Sequence, residues 1–109
     1  MSTQDDVALA RAIERGDVPA AGFGHASHLR VALVYLRESA SVDEAIARMA
    51  ATLRRFAASV GQPGKYSQPT TEFWMHQMAA ARAVLPEADG DALLKAFPWL
   101  LDRNLPRAA

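Results

Sequence analysis

The residues of this sequence with the clearest chemical potential are His25 and His28, two of its three histidines. A spacing of three residues places both imidazole rings on one side of a single helical turn. Because this turn opens an apolar segment, we expect both rings to face the interior, where burial and the positive helix end disfavour the imidazolium form. Neutral rings can accept a proton or bind a metal ion, so the pair predicts an acid-base site or half of a metal site.

The same histidine pair also fits a structural role, in which one ring caps the helix and the other donates a hydrogen bond inside the core. A metal ion would need further ligands, and the sequence offers Glu72 and His76. They lie four residues apart and therefore on one face of a later helix. If that helix packs beside the histidine pair, the four side chains could enclose a divalent transition metal. An unrelated exposed pair would have the same spacing, so no cofactor is assured.

Other catalytic patterns are missing from the sequence. It contains no cysteine, which excludes thiolate catalysis, disulfides and cysteine-ligated metal centres. It also lacks a Gly-x-Ser-x-Gly elbow, a phosphate-binding glycine loop, a His-Glu-x-x-His motif and a dinucleotide fingerprint. Any chemistry is therefore expected at the histidines.

The element that must position the histidines is a helix predicted from about residue 26 to 38. Arg30 is the only charge between Leu29 and Leu36, and a helix that is apolar on nearly every side is normally the central, buried one. On this helix Tyr35 shares a face with His28 and is a candidate ligand contact.

The remaining helices are marked by capping residues, apolar periodicity, glycines and prolines. They are predicted to begin at Ser2 or Thr3, Ser41, Thr70 or Thr71, and Asp89 or Asp91, and to end near Gly16, Gly61, Leu85 and Phe97. Together with the central helix they predict an all-α fold, a compact bundle of four to five helices in one domain spanning residues 1–109. A chain of this size leaves little margin for a large internal cavity, so a ligand should be small or held between subunits.

Charge and hydropathy restrict the classes of partner expected for this chain. The chain has 12 basic and 12 acidic residues, so it has no net positive field to attract a phosphate backbone, and nucleic-acid binding is not expected. No apolar run approaches the length of a bilayer span, and the first residues are acidic where a signal peptide would be basic. We therefore expect a cytoplasmic protein that does not bind membranes.

Two stretches of the sequence together resemble a family of small bacterial helical proteins that has no established activity. The first runs from Phe23 through His25, His28 and Leu29 and matches the family pattern Phe-x-His-x-x-His-Leu-Arg. The second is similar to the pattern Tyr-His-x-Thr-x-Thr before a tryptophan, with matches at Tyr66, Thr71 and Trp74. The resemblance covers roughly residues 20–85.

The resemblance implies that the loop around Tyr66 and the histidine pair belong to one pocket. In the family a third histidine follows the tyrosine and faces the first two, an arrangement that looks like a metal site or an acid-base site. This chain departs from the pattern because Ser67 occupies that position, and a serine is a poor ligand for transition metals.

The leading hypothesis is a pocket that binds a small organic molecule and transforms it by acid-base chemistry. His25 and His28 would transfer a proton or polarise the ligand, Tyr66 and Ser67 would donate hydrogen bonds, and Trp74 would form an apolar wall. The predicted ligand contacts are Ser67, Thr71, Trp74 and Tyr35. Two alternatives stay open. One is a metal-dependent enzyme with His25, His28 and His76 as ligands. The other is a non-catalytic module that docks on a partner or forms a homodimer and whose histidines are structural.

Overall fold

The computed structural model describes residues 2–19 and 22–108 and shows an all-α fold, which confirms the predicted fold class. The helices are α1 (Thr3–Arg15), α2 (His25–Glu38), α3 (Val42–Ser59), α4 (Gln68–Val84), α5 (Gly90–Ala96) and the single turn α6 (Leu105–Ala108). Two short 3₁₀ segments, Pro63–Lys65 and Pro98–Leu101, lie between them. The described residues contain no β-strand.

The central helix is α2, as its apolar composition predicts. Leu29 and every residue from 31 to 36 are buried, and the helix packs against α1, α3, α4 and α5. The buried apolar residues form one continuous cluster to which all of these helices contribute. Burial of this cluster is the main stabilising contribution to the fold and fixes the direction in which the first turn of α2 points.

Side-chain caps define where several helices begin. The Ser2 hydroxyl accepts a hydrogen bond from the Asp5 backbone N–H, and Ser41 does the same for Glu44. Asp89 caps α5 by accepting from the Ala92 backbone N–H. The caps proposed at Ser2, at Ser41 and at Asp89 are therefore confirmed, because each supplies an acceptor to a backbone N–H that has no partner inside its helix.

The start of α4 differs from the sequence prediction, which placed the cap at Thr70 or Thr71. The cap is Ser67, whose hydroxyl oxygen accepts from the Thr70 backbone N–H at 3.3 Å. Pro69 therefore lies in the first helical turn, where its missing N–H costs no helical hydrogen bond. The proline was interpreted as part of the preceding loop, whereas it belongs to the helix.

A buried carboxylate joins three helices. Asp6 on α1 is fully buried, and its two oxygens accept from Arg30 Nε on α2 at 2.6 Å and from the Gly90 backbone N–H on α5 at 2.9 Å. Each oxygen of the buried charge thus has a partner, as a charge in an apolar interior requires. A side chain at position 90 would place Cβ only 2.8 Å from Arg30 Cγ, so glycine is needed for this close approach.

None of the described helices is both long enough and apolar enough to cross a membrane.

Candidate functional site

A cleft of about 570 Å³ opens between the first turn of α2, the second half of α3 and the first half of α4. The loop from Val60 to Ser67 and the chain at Arg103 complete its wall. Its volume lies within the usual range for small-molecule sites. A chain of this length was expected to leave little room for an internal cavity, and the cleft opens at the surface between the helices.

The floor of the cleft is the apolar stripe of α3. Met49 is buried in the core, whereas Leu53 and Phe56 are only partly buried and, with Val60, line the cleft. Leu53 and Phe56 also pack against the core, and Met49 lines the cleft as well. The apolar stripe therefore serves the core along its length and leaves its second half partly exposed in the cleft.

His25 lies at the first position of α2, and its ring is hydrogen-bonded to a residue near the C-terminal end of the chain. Its Nε2–H donates to the Leu100 carbonyl at 2.8 Å, in the second 3₁₀ segment. Its ring also meets the Trp74 ring edge to face, with centroids 4.5 Å apart. These two contacts fix the imidazole plane, and in the neutral ring they leave Nδ1 as the hydrogen-bond acceptor.

His28 lies one turn later and is held locally. Its Nδ1–H donates to the Gly24 carbonyl at 2.9 Å, and its ring stacks on Phe23 with centroids 4.1 Å apart. Burial lowers the pKa of His28, and the nearby His25 lowers it further, while the hydrogen bond to Gly24 acts in the opposite direction. The neutral ring therefore presents Nε2 as an acceptor, poised to take a proton.

Each histidine donates a hydrogen bond to a backbone carbonyl and also lines the cleft. The predicted helix cap by one of the rings is wrong, because the N-cap of α2 is Gly24 and no side chain caps it. One ring nitrogen of each donates to a backbone carbonyl, which selects a single tautomer of the neutral ring. A fixed tautomer and a fixed ring plane are what a proton acceptor or a ligand contact requires. The structural and chemical interpretations of the pair are therefore compatible.

Tyr66 lines the cleft but does not present a free hydroxyl hydrogen. Its hydroxyl donates to Gln68 Oε1 at 2.5 Å, and the Arg54 guanidinium lies over its ring, 5.0 Å from the centroid. Arg54 also donates to the same Gln68 oxygen at 3.3 Å. Donation from Tyr66 to a ligand therefore stays a prediction, and it requires the hydrogen bond to Gln68 to be given up.

Ser67 and Thr71 are in the predicted pocket and are likewise engaged. The Ser67 hydroxyl donates to Thr70 Oγ1 at 3.0 Å while it caps α4, and the Thr71 hydroxyl donates to the Ser67 carbonyl at 2.9 Å. Donation from Ser67 to a ligand likewise stays a prediction, and it requires the hydrogen bond to Thr70 to be given up. Both oxygens keep lone pairs, so they remain acceptors on this wall.

Trp74 contributes an apolar side chain to the wall of the cleft. The side chain is buried on α4 with only 8% of the residue exposed, and it lines the cleft beside His25. Its position as an apolar wall follows from the close approach of α4 to α2.

Tyr35 does not line the cleft, so the prediction that it contacts the ligand is wrong. The residue is buried, and its hydroxyl donates to Glu14 at 2.5 Å and lies 2.8 Å from the Thr52 hydroxyl. Burial raises the pKa of Tyr35 to about 12, with a further contribution from the Glu14 hydrogen bond. Although Tyr35 follows His28 by two turns of the same helix, it is turned toward α1 and α3.

The predicted metal ligand set is not assembled. Glu72 and His76 are exposed on α4 and neither lines the cleft that contains His25 and His28. Within residues 2–19 and 22–108, no three histidine, cysteine, aspartate or glutamate side chains are grouped closely enough to hold a metal ion. The spacing correctly puts Glu72 and His76 on one face of the helix, but that face is turned to solvent.

Four polar side chains of the wall were not predicted as site residues: Gln62, Lys65, Thr70 and Arg103. All four are exposed, and neither cation forms an ion pair with another described residue. Lys65 directly precedes Tyr66 and could have been noticed with it. Arg103 carries no local signal, because it reaches the cleft from a part of the chain that is distant in sequence from the other lining residues.

Comparisons with protein-family models, with curated proteins and with solved structures find no match to this chain. The resemblance to the bacterial helical family therefore stays a prediction, and function is inferred from the geometry of the cleft.

Proposed function

We propose that this protein binds a small organic molecule with an apolar body in the cleft between α2, α3 and α4. The observation that carries the proposal is the convergence of His25, His28, Tyr66 and Trp74, from three separate parts of the chain, on one cleft of about 570 Å³. An apolar pocket with a few oriented polar groups is the usual form of a small-molecule site.

The polar groups of the cleft favour a role for the histidines in proton transfer. His28 is neutral, its tautomer is set by Gly24, and its orientation is set by stacking on Phe23. An imidazole with these properties accepts a proton or a hydrogen bond from a ligand without first reorganising. Proton abstraction from a bound molecule is the chemistry that this arrangement supports.

A matched pair of variants on α3 tests ligand binding. Ala57 is partly buried and lines the cleft, whereas the next residue, Ala58, is exposed and outside it. Ala57→Phe should fill the cleft, and Ala58→Phe should leave it open. Both variants are made with Trp99→Phe, which removes the exposed tryptophan and leaves Trp74 as the only fluorescent reporter.

The probes are octan-1-ol and octanoate, titrated separately while Trp74 fluorescence is recorded. We expect a saturable change with at least one probe in the parent and in Ala58→Phe, and its loss in Ala57→Phe. Circular dichroism verifies that the variants keep the helical content of the parent. If neither probe gives a saturable change in the parent, or if Ala57→Phe binds as the parent does, the proposed function is wrong.

The second candidate is an interaction module, which exposed apolar side chains favour. Val84, Leu85, Trp99 and Leu101 are large apolar residues with 37% to 66% of their surface exposed. Such residues mark contact surfaces when they are contiguous. Sedimentation equilibrium of the parent and of Trp99→Ser tests this candidate: a parent dimer that Trp99→Ser dissociates, together with failed probe binding, would favour it.

A further inference from the structure

The charges around the cleft are all of one sign. Two cations, Lys65 and Arg103, stand in its wall, and no aspartate or glutamate among the described residues lines it. The chain as a whole has as many acidic as basic residues, so this local excess of positive charge is not a consequence of composition. Charges of one sign along a cleft raise the local concentration of ligands of the opposite sign.

Several hydrogen-bond donors of the cleft wall already have acceptors within the protein. Tyr66, Ser67 and Thr71 donate their hydroxyl hydrogens to protein acceptors, and each histidine donates through one nitrogen to a carbonyl. Among the described hydrogen bonds of the lining residues, none is donated by the side chains of Gln62, Thr70, Lys65 or Arg103. Only Lys65 and Arg103 of these four carry a positive charge. A ligand anion would therefore find its charged donors at these two cations, and its apolar body would lie along the α3 stripe.

We infer that the ligand of the cleft is an organic carboxylate, bound with its charged group at Lys65 and Arg103 and its hydrocarbon part over Leu53 and Phe56. This inference rests on the proposed function and specifies its ligand class. The arrangement discriminates against amines, which would meet two like charges and no carboxylate. It also discriminates against neutral alcohols, which gain the apolar contacts but not the charge interaction.

Three probes that share one hydrocarbon chain test the inference: octanoate, octan-1-ol and octylamine, each titrated at neutral pH against the variant with Trp74 as its only tryptophan. We expect octanoate to bind at least about twofold more tightly than octan-1-ol, since two exposed ion pairs together should improve affinity about two- to thirtyfold. Octylamine should bind most weakly. About 1 M sodium chloride should reduce the advantage of octanoate, because salt screens exposed charges.

Single substitutions locate the charge preference. Lys65→Gln and Arg103→Gln should each weaken octanoate binding about two- to fivefold and leave octan-1-ol binding unchanged. Lys95→Gln is the matched control, because Lys95 is equally exposed on α5 and lies outside the cleft. Its octanoate affinity should equal that of the parent.

The outcomes separate the two proposals. If octan-1-ol binds as tightly as octanoate, or if Lys65→Gln and Arg103→Gln behave as Lys95→Gln does, the carboxylate inference is wrong while the small-molecule site stands. Tighter binding of octylamine than of octanoate would also overturn the inference. If no probe binds, the proposed function itself fails.

Discussion

At the scale of single residues, the two histidines show how one side chain serves structure and chemistry together. Each ring uses one nitrogen to donate to a backbone carbonyl, Leu100 for His25 and Gly24 for His28. In the neutral ring the opposite nitrogen is then an acceptor with a fixed direction. The hydrogen bonds that stabilise the fold are thus the same ones that orient the rings at the cleft.

The lowered pKa of His28 predicts how stability depends on pH. Because burial lowers the pKa below its ordinary value of 6.5, the unfolded chain takes up a proton at a pH where the folded protein does not. The stabilisation from neutral His28 is complete above the unfolded pKa and is lost as the pH falls toward the folded pKa. The free energy of unfolding, measured with urea, should decrease between about pH 7.5 and 5.5. His28 can contribute up to about 1.4 kcal/mol of this decrease, because the unfolded chain takes up its proton mainly in the last pH unit of this range.

His28→Gln removes this linkage, so its free energy of unfolding should decrease less over the same range. His76→Gln is the control, since His76 is exposed on α4 and away from the cleft, and it should keep the pH dependence of the parent. Equal slopes for the parent and His28→Gln would show that His28 does not titrate differently in the two states.

At the scale of the elements, Asp6 connects α1 to α2 and α5 through Arg30 and Gly90. These contacts hold α2 in register with the C-terminal segment that carries Leu100 and Arg103 to the cleft. The Asp6 carboxylate is fully buried, and its hydrogen bonds tolerate less change in distance and angle than the surrounding apolar contacts do.

Asp6→Ala should lower the free energy of unfolding by about 3 kcal/mol, because it leaves the Arg30 guanidinium and the Gly90 N–H without their buried acceptor. Urea unfolding measures the change. Asp17→Ala removes a carboxylate from an exposed ion pair with Arg15 and should change stability by less than about 0.5 kcal/mol. A loss of under about 1 kcal/mol in Asp6→Ala would mean that water or another group replaces the carboxylate.

At the scale of the whole molecule, the cleft lies where α2, α3, α4 and the loop before α4 meet. Leu53 and Phe56 pack against the core but stay partly exposed, so part of their apolar surface is available to a ligand. Binding to this surface stabilises the folded state, since the unfolded chain has no such site.

Octanoate at about 100 times its dissociation constant should therefore raise the free energy of unfolding by about 2.7 kcal/mol. Urea unfolding with and without octanoate measures this increase. The same concentration should leave the stability of Ala57→Phe unchanged. An equal increase in the two proteins would indicate that octanoate acts elsewhere than in the cleft.

The local signals in the sequence determined the helices and most of their ends. Apolar periodicity, the caps at Ser2, Ser41 and Asp89, and the stop at Pro86 each depend on residues within one or two turns. The start of α4 was missed because Pro69 is as compatible with a first helical turn as with a loop. Of the site, the histidines were found because their spacing and apolar context are local, whereas Tyr66 and Trp74 entered the prediction through the resemblance.

What only the tertiary structure decided is which faces of the helices meet. Periodicity puts Glu72 and His76 on one face, and His28 and Tyr35 on another, but it does not say which neighbour covers that face. The packing turns Glu72 and His76 to solvent and Tyr35 toward Glu14, and it brings Arg103 to His25 across most of the chain. These outcomes depend on contacts between residues distant in sequence, which helical spacing does not encode.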